Sequence, residues 1–76
     1  MTFAEALKSM REELGMTQES LARELNVSFA TVNKWENNKT KPLRVIRDRI
    51  VEFGKSRGIS IKSIEALKSG CQKGGA

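Results

Sequence analysis

The sequence contains no histidine, no tyrosine, one cysteine and one proline among its 76 residues. Without histidine, the chain cannot assemble a Cys/His zinc site or a histidine-based catalytic dyad. Cys71 has no second cysteine for an internal disulfide, and its segment SGCQKGGA favours an incidental thiol over a reactive one. We find no paired carboxylates on a shared face and no glycine-rich phosphate loop. An enzyme is therefore the weakest interpretation, and the sequence indicates no cofactor and no small-molecule ligand.

Long apolar runs are also missing. The longest such run is far shorter than the roughly 20 residues that span a bilayer, so no membrane partner is expected. The N-terminal segment MTFAEALKSM lacks the basic region and the apolar stretch of a signal peptide. Together with the unpaired cysteine, these features favour a soluble protein of a reducing cytoplasm. A chain of 76 residues forms at most one small domain, near the lower limit of what folds without a metal or a disulfide.

Positive charge is concentrated in the middle and C-terminal parts of the chain. The net charge of +5 divides into −2 over residues 1–32, +4 over residues 33–49 and +3 over residues 50–76. A solvated helix face is the ordinary explanation of a charged run. Because the positive charge here begins inside one candidate helix and continues directly after it, a polyanionic partner becomes the better explanation.

Two helices are predicted in the first third of the chain. In TFAEALKSMREELG, Thr2 and Glu5 match a capping box, and Gly15 suits the left-handed position that ends a helix. The second helix, TQESLARELN, can be capped by Thr17, and Asn26 suits a left-handed exit. Its inner face is predicted to consist of Leu21, Ala22 and Leu25.

The stretch NVSFATVNKWENNKTKP, residues 26–42, has two interpretations. Its β-forming side chains favour a strand that leads into a turn. A strand, however, would separate polar from apolar residues on neither face, and no other segment alternates well enough to pair with it. Val32 and Trp35 lie three residues apart after a good N-cap at Ser28, so we predict a helix whose apolar side chains belong to the core.

Two further helices are predicted in the C-terminal half. The fourth begins at Pro42, carries arginines on its outer face and ends at Gly54 or Gly58. Its inner stripe is predicted to consist of Leu43, Ile46, Ile50 and Phe53. The segment ISIKSIEALKSG predicts a shorter fifth helix that Gly70 ends.

These patterns predict an all-α fold, a compact bundle of four to five short helices. We expect one domain over residues 1–69, with its core in residues 3–53, and a flexible C-terminal tail over residues 70–76. The tail resembles an arbitrary end, so both a full protein and a fragment of a longer one stay open.

The segment LKSMREELGMTQESLARELNVSFATVNKWENNKTKP resembles the phage-repressor and Cro-like (XRE-type) helix-turn-helix family of transcriptional regulators. The matching elements are TQ at the start of the second helix, LA one turn later, an apolar residue after the turn, and WEN…K…P at the end. Asn26 and Asn38 stand where the family often has glycine, and both tolerate left-handed geometry. The resemblance implies a lambda-repressor-like domain that binds double-stranded DNA sequence-specifically, as a small repressor-like regulator encoded by a bacterium, an archaeon or a phage.

The resemblance also implies site residues. In such domains the N-terminal part of the recognition helix, here residues 28–37, enters the major groove. The base-reading residues would be Ser28, Phe29, Ala30, Thr31, Asn33 and Lys34. The phosphate-binding residues would be Gln18, Asn37, Lys39, Thr40 and Lys41. For Phe29 two roles stay open, contact with a thymine methyl group or packing on a protein surface.

Other implications concern stability and assembly. Arg11 and Glu36 hold the positions of an ion pair that is common in the family, so we expect a partly buried, structural pair. The family usually binds as a two-fold dimer, which makes the fourth helix and residues 59–67 the candidate homodimer interface. Arg44, Arg47 and Arg49 would extend the phosphate contacts or merely solubilise the helix. The alternative function is a protein-interaction or DNA-targeting module, either an antitoxin-like partner or one domain of a larger protein.

Overall fold

The computed structural model describes the backbone of residues 2–72 and the side chains of residues 2–68. It contains five helices, which are α1 (Phe3–Glu13), α2 (Gln18–Leu25), α3 (Phe29–Glu36), α4 (Arg44–Ser56) and α5 (Ile61–Gln72). No strand occurs between residues 2 and 72, so the prediction of an all-α fold is confirmed. The ambiguous stretch that follows α2 is a helix and a loop.

The first four helices end in the same backbone motif. In each, a residue with positive φ stands at the end of the helix, and the next N–H donates to a carbonyl oxygen five residues earlier, such as Met16 N to Arg11 O at 3.0 Å. The positive-φ residues are Gly15, Asn26, Asn38 and Gly58. Because asparagine tolerates this conformation better than other non-glycine residues, the expectation for both asparagines is confirmed.

The core forms where all five helices meet. Its most deeply buried large side chains are Phe3, Leu7 and Met10 of α1, Leu21 of α2, Val32 of α3, Ile50 of α4 and Leu67 of α5. Trp35 is 5% exposed and belongs to the same cluster, as predicted. Helix α1 packs against both α3 and α5, and α2 packs against α3. The buried face of α3 is therefore held from two sides.

Helix α4 begins later than predicted. Its N-cap is Leu43, whose backbone is extended and whose side chain is 74% exposed. The predictions that Pro42 begins this helix and that Leu43 lies inside were wrong. At the other end Gly58, with a φ of +79°, closes the helix, whereas Gly54 lies within it.

The buried face of α4 is also rotated from the predicted stripe. Its buried residues are Arg47, Ile50, Val51 and Gly54. A Cβ atom at position 54 would lie 2.5 Å from Ile59 Cδ1 and 3.1 Å from Met10 Sδ. Since only glycine leaves room for this close approach, the helix turns this side towards α1 and the segment before α5.

The three arginines of α4 differ in their surroundings, and the prediction of an outer face was wrong for Arg47. That side chain is buried against α5, with Nη1 3.4 Å from the Lys68 carbonyl oxygen and Nη2 3.7 Å from Asp48 Oδ1. Its Nε has no hydrogen-bond partner in the part of the chain that the structure describes. Arg49 donates to the Leu25 carbonyl oxygen at 3.0 Å and so ties α4 to the end of α2. Arg44 is exposed.

Helix α5 is attached to α1 through Glu13. The carboxylate accepts hydrogen bonds from Ser60 N at 3.0 Å, from Ser60 Oγ at 3.2 Å and from the hydroxyl of the buried Ser63. The helix continues through Gly70 to Gln72, so the prediction that Gly70 ends it was wrong. A glycine inside a helix costs about 1 kcal/mol and does not by itself stop it. Of the predicted tail, residues 73–76 lie outside the described residues.

The attachment of α5 predicts a pH-dependent stability. The hydrogen bond from Ser63, and then that from the Ser60 backbone, hold the pKa of Glu13 below its ordinary value. Because the folded-state pKa is the lower one, the carboxylate stabilises the fold fully above the unfolded-state pKa of about 4.3, and this stabilisation is lost as the pH falls through the folded-state pKa. We expect Glu13→Gln to lower the melting temperature at neutral pH and to lower it progressively less in acid.

Thermal unfolding followed by circular dichroism, from neutral pH to below about pH 4, measures this difference. Glu65→Gln, which removes an exposed carboxylate from α5, is the matched control. A melting-temperature difference for Glu13→Gln that stayed constant over this range would contradict the assignment.

Candidate nucleic-acid interface

Helices α2 and α3 form one packed unit. A three-residue turn, residues 26–28, joins them. Thr17 and Ser28 are the N-caps, and their hydroxyl oxygens accept hydrogen bonds from Ser20 N and Thr31 N. Two short helices that are joined by such a turn and pack on each other form a helix-turn-helix.

A continuous chain of polar contacts crosses this unit from α1 to the end of α3. Arg11 donates from Nε to Glu36 Oε2 at 2.8 Å and from Nη2 to Oε1 at 3.0 Å. Gln18 Nε2 donates to Glu36 Oε1 at 2.9 Å, and Asn33 Nδ2 donates to Gln18 Oε1 at 3.2 Å. Asn37 Nδ2 donates to Asn33 Oδ1 at 3.0 Å. We call these five side chains, Arg11, Gln18, Asn33, Glu36 and Asn37, the polar network. It connects α1 and α2 to the exposed side of α3.

The ion pair in the polar network is largely withdrawn from solvent. The side chain of Glu36 is 3% exposed and that of Arg11 is 16% exposed. The third guanidinium nitrogen, Nη1, donates to the Met16 carbonyl oxygen at 3.0 Å, just after α1. Hydrogen bonding to Glu36 raises the pKa of Arg11 above its ordinary value, against the opposing effect of burial. The pair therefore anchors the end of α3 to α1.

The predicted base-reading residues lie along α3 and its cap, and they differ in exposure. Ser28, Phe29, Ala30 and Lys34 are exposed, whereas Thr31 and Asn33 are half-buried. The Ser28 and Thr31 hydroxyl oxygens are 2.8 Å apart and share a hydrogen bond. Phe29 is 52% exposed and stands outside the core cluster, so it does not pack into the interior of its own domain.

The predicted phosphate-binding residues fall into two groups. Asn37, Lys39, Thr40 and Lys41 are exposed at the end of α3 and in the loop that follows it. Gln18 is half-buried at the start of α2, and its amide already bonds to Glu36 and Asn33. An amide group has two N–H donors, so Gln18 keeps one N–H beyond the bond to Glu36.

The contacts of Gln18 within the polar network could not be predicted from the sequence. Gln18 bonds to residues 15 and 18 positions away, and nothing in the local sequence signals such a contact. The Asn33–Asn37 bond had a signal, because residues four apart are neighbours on a helix surface.

Comparison with protein families identifies the unit. A family described as Helix-turn-helix matches residues 7–43, which run from α1 through α3 to the loop before α4. Residues 7–43, which are 37 of the 76 residues, are therefore similar to the helix-turn-helix family, in agreement with the resemblance found in the sequence. The match supports a DNA-binding function of the transcription-regulator type. Comparison with curated proteins found no match, and neither did comparison with solved structures.

The described residues form neither a membrane-spanning helix nor a candidate metal site. None of the described helices is both long and apolar enough to cross a membrane. No group of three or more His, Cys, Asp and Glu side chains among the described residues is placed to hold a metal ion.

Proposed function

We propose that this domain binds double-stranded DNA sequence-specifically, as a small repressor-like transcriptional regulator, with residues 28–37 in the major groove. The observation that carries the proposal is the hydrogen bonding of the Asn33 side chain. Its side-chain amide is held by Gln18 and Asn37, yet among the described residues one N–H donor and one oxygen lone pair of this amide have no partner. This is the donor–acceptor pair with which asparagine recognises the N6 and N7 edge of adenine.

The remaining base contacts are proposed on the same helix. Lys34 is exposed directly beside Asn33 and is suited to the guanine edge. Ser28, Phe29, Ala30 and Thr31 form the end of α3 that enters the groove first. The proposed base-reading residues are therefore Ser28, Phe29, Ala30, Thr31, Asn33 and Lys34.

Phosphate contacts are proposed before and after the recognition helix in the chain. Gln18 is at the start of α2, which precedes α3, and the other residues lie at the end of α3 and in the loop that follows it. These contacts fix the position of the protein on the duplex and carry no sequence information themselves. The proposed phosphate-binding residues are Gln18, Asn37, Lys39, Thr40 and Lys41.

We further propose a homodimer through α4 and residues 59–67, because one module of this size supplies too little specific affinity alone. Within that region Ile59 and Leu67 are buried in the core of their own domain. The apolar side chains left for a partner are Val45 and Ile61, which are 62% and 73% exposed. The domain itself is proposed to span residues 1–69.

The same exposed side chains favour a second candidate function. Together with Leu43 they would also suit a protein-interaction or DNA-targeting module, such as an antitoxin-like partner or one domain of a larger protein. Sedimentation equilibrium on the selected duplex separates the two. Two chains per duplex would support the homodimer, and a single chain on one half-site would support the second candidate.

Selection from a random duplex library followed by a salt titration tests the proposed function. Binding led by phosphate contacts predicts that the logarithm of the affinity falls linearly with the logarithm of the salt concentration, by about 0.9 for each phosphate contacted. Enrichment of a defined sequence together with this dependence is the expected result. Failure to enrich any sequence, or affinity that does not change with salt, would contradict the proposal.

The loop lysines predict a specific change in that titration. We expect Lys39→Ala with Lys41→Ala to weaken binding to selected and random duplexes alike and to make the salt slope shallower by about 2. Lys8→Ala with Lys55→Ala is the matched control, since it removes the same charge from exposed lysines on α1 and α4. An equal change in slope for both pairs would show that the loop has no special role.

A further inference from the structure

The first turn of α3 presents an exposed aromatic ring. Phe29 is the first residue of the helix and is 52% exposed, and Ala30 beside it is exposed as well. The other exposed large apolar side chains of the described residues are Leu43, Val45 and Ile61, and none of them lies on α3. We call Phe29 and Ala30 the apolar tip of the helix.

The polar groups next to the apolar tip are engaged with each other. Ser28 Oγ accepts a hydrogen bond from Thr31 N at 3.1 Å and is 2.8 Å from Thr31 Oγ1. The two hydroxyl groups thus serve to cap the helix. What the first turn offers to a ligand is mainly hydrocarbon, the ring of Phe29 and the methyl group of Ala30.

The apolar tip lies on the same side of α3 as the proposed adenine-binding residue. Phe29 and Asn33 are four residues apart, and residues at this spacing are neighbours on a helix surface. A ligand that contacts the Asn33 side chain therefore also contacts the ring of Phe29. Lys34 on α3 and Lys39 and Lys41 in the loop after it are exposed and positively charged, which favours DNA over an apolar protein surface as the partner of this helix.

We propose that Phe29 recognises the C5-methyl group of one pyrimidine in the major groove. The methyl group of thymine is the apolar feature of the major-groove edges of the four standard bases. Cytosine methylated at C5 presents the same group at the same carbon atom. Since an aromatic ring contacts a methyl group through apolar surface alone, it does not distinguish the two bases, so the domain also binds duplexes with 5-methylcytosine at that position. The inference rests on the proposed function, because it requires α3 to lie in the major groove.

The test uses the full chain and the duplex that it selects from a random library. Each thymine of that duplex is replaced in turn by uracil, which removes only the methyl group. At one position we expect affinity to fall roughly three- to tenfold, the effect of burying one methyl group against apolar surface. Replacing the A·T pair there by G·C and then by G·5-methylcytosine should recover a similar factor on methylation.

Two substitutions assign the effect to the ring. Phe29→Ala should bind the thymine and uracil duplexes equally, at about the affinity of the wild type for the uracil duplex. Phe29→Leu keeps a large apolar side chain and should keep the preference for the methyl group. Because the ring lies outside the core cluster, both variants should melt close to the wild type.

Several results would overturn the inference. Equal affinity for thymine and uracil at every position of a selected sequence would refute it while leaving the proposed function intact. Full methyl dependence in Phe29→Ala would assign the contact to another residue. Loss of self-association in Phe29→Ala, with its methyl dependence unchanged, would make the ring a protein contact. If the wild type selected no sequence at all, the proposed function would fail and this inference with it.

Discussion

Glu36→Gln is expected to lower the free energy of unfolding by about 3 kcal/mol, the lower end of the range for removing one partner of a buried ion pair. The carboxylate is 3% exposed and accepts hydrogen bonds from Arg11 and Gln18. Without its charge, the Arg11 guanidinium stays mostly buried, and only the weaker attraction of Glu12 compensates its charge. The lower end applies because glutamine keeps the shape of the side chain and Arg11 retains 16% of its surface. For a domain of this size the melting temperature should fall on the order of 10–20 °C.

Glu24→Gln is the matched control for this prediction. It makes the same chemical change in the ion pair between Glu24 and Arg57, which is 2.9 Å long but 45% and 46% exposed. An exposed pair contributes at most about 1 kcal/mol, so this variant should melt close to the wild type. Chemical denaturation of both variants measures the difference. Equal losses, or no loss for Glu36→Gln, would show that burial of the pair does not stabilise the fold.

Asn33→Ala should abolish the preference for one base pair and leave the others in place. The unused N–H and lone pair of this amide are proposed to bind adenine, and losing such a bidentate contact costs about 1–3 kcal/mol against the preferred base. Because Gln18 and Asn37 hold the amide before DNA binds, little orientational freedom has to be lost on binding. Affinities for duplexes with single substitutions across the selected sequence measure the effect.

Thr40→Ala is the control that separates recognition of bases from general affinity. It removes a polar side chain from the exposed loop after α3, at a residue that is proposed to contact phosphate and that lies outside the polar network. This variant should weaken binding to all duplexes by a similar factor and keep every base preference. If Asn33→Ala also weakened selected and random duplexes equally, the base-reading role of Asn33 would be untenable.

The parts of the fold that could be predicted from the sequence depend on contacts within one or two helical turns. The capping box of Thr2 and Glu5 and the left-handed ends at Gly15 and Asn26 are set by residues close in sequence. Spacing alone also placed Trp35 in the core.

The parts that could not be predicted depend on close approach between distant segments. The buried face of α4 follows from the absence of a side chain at Gly54, which matters only because Met10 and Ile59 lie against it. Nothing in the pattern of α4 itself signals which face is buried, since an arginine such as Arg47 normally marks an exposed face.

The candidate site likewise has a part that could be predicted from the sequence and a part that could not. The resemblance to known helix-turn-helix domains placed Arg11 opposite Glu36, and the structure has a bidentate ion pair there. The bonds of Gln18 to Glu36 and to Asn33 depend on how α1, α2 and α3 cross. Sequence spacing holds no information about that crossing. The structure alone therefore shows that Gln18 lies between Glu36 and Asn33 in the polar network.

The ratio of two affinities tests the central claim most directly. The wild-type chain is titrated at one salt concentration with its selected duplex and with a duplex of the same composition in shuffled order. If α3 reads bases in the major groove, the selected duplex should bind at least about 10³-fold more tightly. A ratio near one, even with a steep salt dependence, would make this protein a non-specific polyanion binder and contradict the account.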